Sequence, residues 1–140
     1  LSFAMATFAG LVLVSCNSGT GGHSHPDSPT AVLDSLELNN GSKWQMSPEM
    51  GTMFNESVSY FKDSNYPTLD QEALKTAGTG LHQRMMKIIQ SCNMTGQAHN
   101  QLHIFITGYL PAIKKLSDNG QMEDAKVVDH YLTTYTEFFE

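Results

Sequence analysis

From Ser47 onward the chain repeats one kind of signal four times, a helix start followed by an apolar stripe of helical period. Ser47 precedes Pro48 and Glu49. That order supplies a capping hydroxyl, a proline where the first-turn N–H has no partner anyway, and an acid facing the positive end of the helix dipole. It predicts a helix to about Asp63. Thr68-Leu69-Asp70-Gln71 has capping-box spacing and predicts a second helix to about Ser91. Thr95 is the expected cap of a third, which reaches about Ser117 and stops at Asn119-Gly120; a fourth runs from about Gln121 to Glu140.

At about 100° per residue, Leu74, Leu81, Met85, Ile88 and Cys92 share one face of the second helix. Leu102, Ile106, Tyr109, Leu110 and Ile113 do the same on the third, and Val128, Tyr131, Leu132, Tyr135 and Phe139 on the fourth, while the first offers Met50, Phe54 and Phe61. No run of strand period competes with these stripes. Connections of about four to six residues make neighbouring helices antiparallel. The expected fold of residues 47–140 is therefore all-α, a four-helix up-down-up-down bundle. Pro111 is the local conflict: it cannot donate to the Thr107 carbonyl and should kink the third helix, with Gly108 easing the bend.

Upstream, residues 31–46 form a lead-in with an Asn40-Gly41 turn signal, expected to pack Leu38 and Trp44 on the body. Residues 17–30, NSGTGGHSHPDSPT, have almost no apolar side chain to offset the entropy of ordering. They are expected to be a tether, and His23 and His25 within it read as solvated side chains rather than ligands. Leu1 to Val14 is uncharged, apolar and too short for a comfortable membrane span. It ends in Leu13, Val14, Ser15 and Cys16, and LVSC in this position resembles the lipobox of bacterial lipoproteins. That resemblance implies a signal peptide over 1–15, cleavage before Cys16, lipidation of that cysteine, and a membrane tether spanning 16–30. Asn17 rather than Asp follows it, which points to the periplasmic face of the outer membrane.

Charge narrows the partners. Fourteen acidic against eight basic side chains give a formal charge of −6, and the basic residues are scattered, so a nucleic acid partner is not expected. Neither a Gly-rich phosphate loop nor GxSxG nor HExxH is present, and a cysteine nucleophile with His99 or His103 as base lacks a visible orienting carboxylate. The expectation is a non-enzymatic protein.

One stretch carries candidate chemistry. SCNMTGQAHNQLH, residues 91–103, holds Cys92, Met94, His99 and His103. With Cys16 acylated, Cys92 is the remaining thiol of two cysteines, in an oxidising compartment where an unpaired thiol needs burial, a metal or a partner. His99 and His103 are one helical turn apart, so their side chains lie roughly 6 Å apart on one face. Phase puts His99 near the middle of the apolar stripe. The proposed ligands are Cys92, His99 and His103, with Met85 or Met94 as a fourth and His82 flanking. Thiolate, imidazole and thioether together suit copper, above all Cu(I), and Cys with two His also satisfies zinc. The alternative is a packed turn in which Cys92 is a small buried hydrophobe, Met50, Met53 and Met85 fill the core, and His130 faces water.

LNNGSKWQM and SCNMTGQAHNQLHIFI are similar to stretches of a group of small, uncharacterised bacterial envelope proteins. The similarity implies a recurring helical domain and carries no catalytic residue across. Three functions stay open: a lipid-anchored copper or zinc binder, a protein–protein interaction module for an envelope partner, and a bundle holding haem non-covalently between a Met and a His.

Overall fold

The computed structural model describes residues 28–140. Four helices make the body: α1 (Pro48–Asp63), α2 (Gln71–Ser91), α3 (Gly96–Asn119) and α4 (Met122–Phe138). They form an all-α four-helix bundle, and among the described residues β-pairing is confined to isolated bridges.

The helix boundaries follow the sequence signals, but the capping chemistry differs. Ser47 occupies the cap of α1 and its carbonyl accepts from Gly51 N–H at 2.9 Å, yet its hydroxyl is buried without a partner. At α2 the cap is Asp70, whose carboxylate accepts from Ala73 N–H at 2.9 Å. Thr68 is displaced from that role because it lies in a preceding 3-10 turn, Tyr66–Thr68, with its hydroxyl donating to Asn65 O. Thr95 stands at the start of α3 without a side-chain cap bond. Gly120 ends α3 in the left-handed region at φ +60°, where a Cβ would be strained, and its N–H closes onto Leu116 O. The α3–α4 connection is only Gly120 and Gln121, tighter than the spacing suggested.

The core is aromatic. Phe54 of α1 stacks on Tyr135 of α4 with centroids 4.3 Å apart and meets Phe105 of α3 edge-on at 6.1 Å. Phe105 also touches Tyr109, Tyr131 and Phe139. The buried stripe of α3 is thus Leu102, Phe105, Tyr109, Ile113 and Leu116, while Ile106 and Leu110 are half-buried at its edge. The Phe105 and Tyr109 rings together claim the centre of the face, which turns the helix away from the phase that Ile106 and Leu110 had suggested.

The lead-in is more firmly attached than its sequence suggested. Residues Ala31–Ser35 form a 3-10 turn that packs on α3, burying Leu33 and Leu36. Tyr131 donates to Pro29 O at 2.8 Å, and buried Gln101 accepts from Glu37 N–H at 2.8 Å. Trp44 donates its indole N–H to Glu37 O, and its backbone bonds to Phe138 and Glu140, clamping the end of α4. Leu38, expected on the body, is instead 42% exposed, carried outward beside the Asn39–Ser42 turn. Helix α3 continues through Pro111. Gly108 serves packing: a Cβ there would fall 2.2 Å from Val32 Cγ1 and 2.1 Å from the Tyr131 hydroxyl oxygen.

Candidate metal centre

The α2/α3 hairpin closes over residues 92–95 and brings the sequence-predicted ligands to one end of the bundle. Cys92 caps α2 in an extended conformation (φ −67°, ψ 116°), which turns its side chain out of the helical phase and toward the start of α3. His99 lies in the first turns of α3. Its Nδ1 is 3.6 Å from Cys92 Sγ, a sulfur–imidazole hydrogen bond whose proton belongs to either atom according to tautomer. His103 follows one turn later, its ring 4.3 Å from that of His99 and inclined at 64°.

These three side chains, with Ile89, Leu102 and Ile106, line a cleft of about 260 Å³. Its walls are mainly apolar, so a charge placed there is more weakly screened than in open solvent. Cys92 and His99 are half-buried and His103 is exposed. His99 therefore sits at the edge of the apolar stripe, not its middle, because Phe105 and Tyr109 mark the true centre of the buried face.

The sulfur–nitrogen distance bears on what the pair can hold. A thiolate at a typical 2.3 Å and an imidazole nitrogen at about 2.0–2.1 Å from one tetrahedral ion stand about 3.5 Å apart. The observed 3.6 Å fits two ligands of a single ion with little rearrangement. Among the described residues no group of three His, Cys, Asp or Glu side chains stands ready around one point. His103 is exposed beside the pair, its ring 4.3 Å from that of His99, and an exposed side chain changes rotamer fast.

The thioether candidates part ways. Met85 is 1% exposed in the core, two helical turns before Cys92 and outside the cleft. At 1.5 Å rise per residue those turns separate the backbones by roughly 10 Å, so Met85 is a packing residue. Met94 is half-buried against the core and does not line the cleft. Met50 is likewise buried and Met53 packs on the core, His82 is half-buried away from the cleft, and His130 faces solvent. Cys16, His23, His25 and the proposed signal peptide lie outside the described residues. The interior between the helices is filled by Phe54, Phe105 and Tyr135, so a haem seated there would have to displace these rings.

Sequence reasoning missed two features. Ile89 is 38% exposed and Met86 37%, on the outer face of α2 with Ile89 forming one wall of the cleft. Tyr109 is buried with its hydroxyl unpartnered, and burial pushes its ionisation far above the ordinary range of a tyrosine. Comparison with family models, with curated proteins and with solved structures gives no match to this chain. Among the described residues no helix is long and apolar enough to cross a membrane.

Proposed function

We propose that this is a non-enzymatic, lipid-anchored envelope protein that binds one soft metal ion, Cu(I) in preference and Zn(II) as the competing ion, at the α2/α3 hairpin. Cys92 and His99 are the primary ligands and His103 the third. The observation that carries the reading is the 3.6 Å approach of Cys92 Sγ to His99 Nδ1 inside an apolar-walled cleft. A thiolate and an imidazole in a partly dry site favour a soft, low-charge ion over a hard one such as Mg²⁺, which demands oxygen ligands. The LVSC run supports the anchor at Cys16 and, with Asn17, the periplasmic face of the outer membrane. The role that follows is to buffer or hand on the ion, since two firm ligands and one mobile one allow exchange.

Titration of the chain from Asn17 onward with Cu(I) against a chromogenic competitor tests the site. One equivalent bound, lost in Cys92→Ser and in the double variant His99→Ala, His103→Ala, supports the reading; no uptake at micromolar metal overturns it. The anchor is tested separately, by fatty-acid labelling of the intact chain, abolished in Cys16→Ser.

A second reading is favoured by Met86 and Ile89, whose apolar side chains are exposed beside the same cleft. On it the bundle docks an envelope partner and Cys92 only packs. Partner capture by crosslinking that survives Cys92→Ala, with stability indifferent to metal, would select this alternative.

A further inference from the structure

The opposite side of α2 carries a second arrangement that neither the metal reading nor its alternative uses. Arg84, the chain's single arginine, lies over the ring of Tyr60 with its guanidinium carbon 3.8 Å from the ring centroid, and its Nη1 donates to Gly80 O at 3.2 Å. Gly80 makes this possible. A Cβ there would fall 2.1 Å from the Tyr60 hydroxyl oxygen, so the α1 phenol rests directly on α2 only because the residue is glycine, the least favourable helix former after proline. A stacked and hydrogen-bonded guanidinium is a fixed fork with donors to spare.

Three contiguous concavities between α1 and α2 converge on Arg84, of about 180, 540 and 400 Å³. Their walls offer Asn55, Ser59 and Gln83 as uncharged hydrogen-bonding groups. Lys87, one turn along α2, faces the smallest of them, and among the described residues neither Arg84 nor Lys87 makes an ion pair, whereas Lys75, on the wall of the 400 Å³ concavity, is paired with Glu72. Glu56 stands on the α1 side of two of the concavities, and the acid of the third, Glu72, is already engaged by Lys75.

We propose that this groove is a binding site for a small monocarboxylate, held in bidentate fashion by Arg84, with Lys87 adding charge. The planar fork matches a carboxylate's two oxygens. Glu56 decides against a more highly charged anion: its own carboxylate repels a phosphate dianion more than a monoanion, and the chain's charge of −6 acts in the same sense. A ligand that also carries an ammonium group gains a contact with Glu56, so a zwitterion binds more tightly than a bare carboxylate.

Calorimetric titration of the intact protein with N-acetylalanine, alanylalanine and inorganic phosphate tests the assignment. The expected order is alanylalanine, then N-acetylalanine with a Kd of about 1 mM, then phosphate at least about tenfold weaker. Arg84→Met removes binding and Arg84→Lys, which keeps the charge but not the fork, weakens it. Circular dichroism checks that each variant is folded. Should Arg84→Met fail to fold, Glu56→Gln carries the test, since it should narrow the gap between phosphate and carboxylate and abolish the zwitterion's advantage. Absence of carboxylate binding at about 10 mM, phosphate bound as tightly as carboxylate, a folded Arg84→Met that still binds, or a Glu56→Gln protein with an unchanged order would each overturn the proposal.

Discussion

The middle of the bundle and the open end of the α2/α3 hairpin treat polar atoms in opposite ways. In the middle, Phe54, Phe105, Tyr109 and Tyr135 close around one another, and the Tyr109 hydroxyl is buried with no partner. At the hairpin end, Cys92 and His99 keep their polar atoms together at a half-open cleft, with His103 at its rim. The first region is optimised for contact and tolerates an unsatisfied oxygen. The second leaves space beside groups that bind metals. Stability should therefore be decided in the middle and ligand binding at the end, and the two should come apart under mutation.

The strongest test of that separation is Phe54→Ala. Losing a fully buried ring of α1 that meets rings of α3 and α4 should cost about 3–5 kcal/mol in urea denaturation. Metal affinity per folded molecule should be unchanged; a matching fall in affinity would show that the two regions are coupled.

High pH should strike the middle next. Burial raises the ionisation of Tyr109, Tyr131 and Tyr135 above the ordinary tyrosine value of 10.0. Because the folded state holds these protons more tightly than the unfolded chain, their contribution is fully present below pH 10 and is lost as pH rises above it. The slope for Tyr109 and Tyr135 should approach about 1.4 kcal/mol per pH unit for each ring. Denaturant midpoints measured from neutral pH upward should fall only in the alkaline limb, and less steeply in Tyr109→Phe.

Two hydroxyl deletions then give opposite signs of similar size. Tyr109→Phe removes a buried oxygen without a partner and should raise stability by about 1 kcal/mol, whereas Tyr131→Phe loses the bond to Pro29 O and should lower it by about as much. Equal effects in thermal melts would mean that the two environments do not differ as described. The smallest stability effect belongs to Cys92→Ser, under about 1 kcal/mol for a half-buried side chain at a helix end. The same variant should lose metal binding altogether, the reverse of Phe54→Ala.

The Arg84 groove extends the contrast to a third region. Tyr60 and Arg84 are neither core nor hairpin, and their stacking shows in sequence only as a glycine where a helix does not favour one. Cys92, His99 and His103 were legible as a group, since a hairpin between two amphipathic helices must bring residues 92 and 99 together. Their depth was not. A phase count weighs all apolar residues alike, whereas the structure lets the large Phe105 and Tyr109 rings set the centre of α3, moving His99 to the edge and leaving Met85 in the core.

Local and periodic properties were within reach of the sequence by itself: four helices, their approximate ends, their antiparallel order and the Gly120 stop. These depend on backbone sterics, capping groups and helical repeat, all settled within a few residues. Tertiary structure decided what depends on groups distant in the chain. It chose Asp70 over Thr68 as the cap of α2, docked Pro29, Val32 and Glu37 against α3 and α4, exposed Leu38, and set Cys92 Sγ 3.6 Å from His99. Such choices rest on which side chains fill the remaining volume best, and volume is shared among elements that a linear pattern reads one at a time.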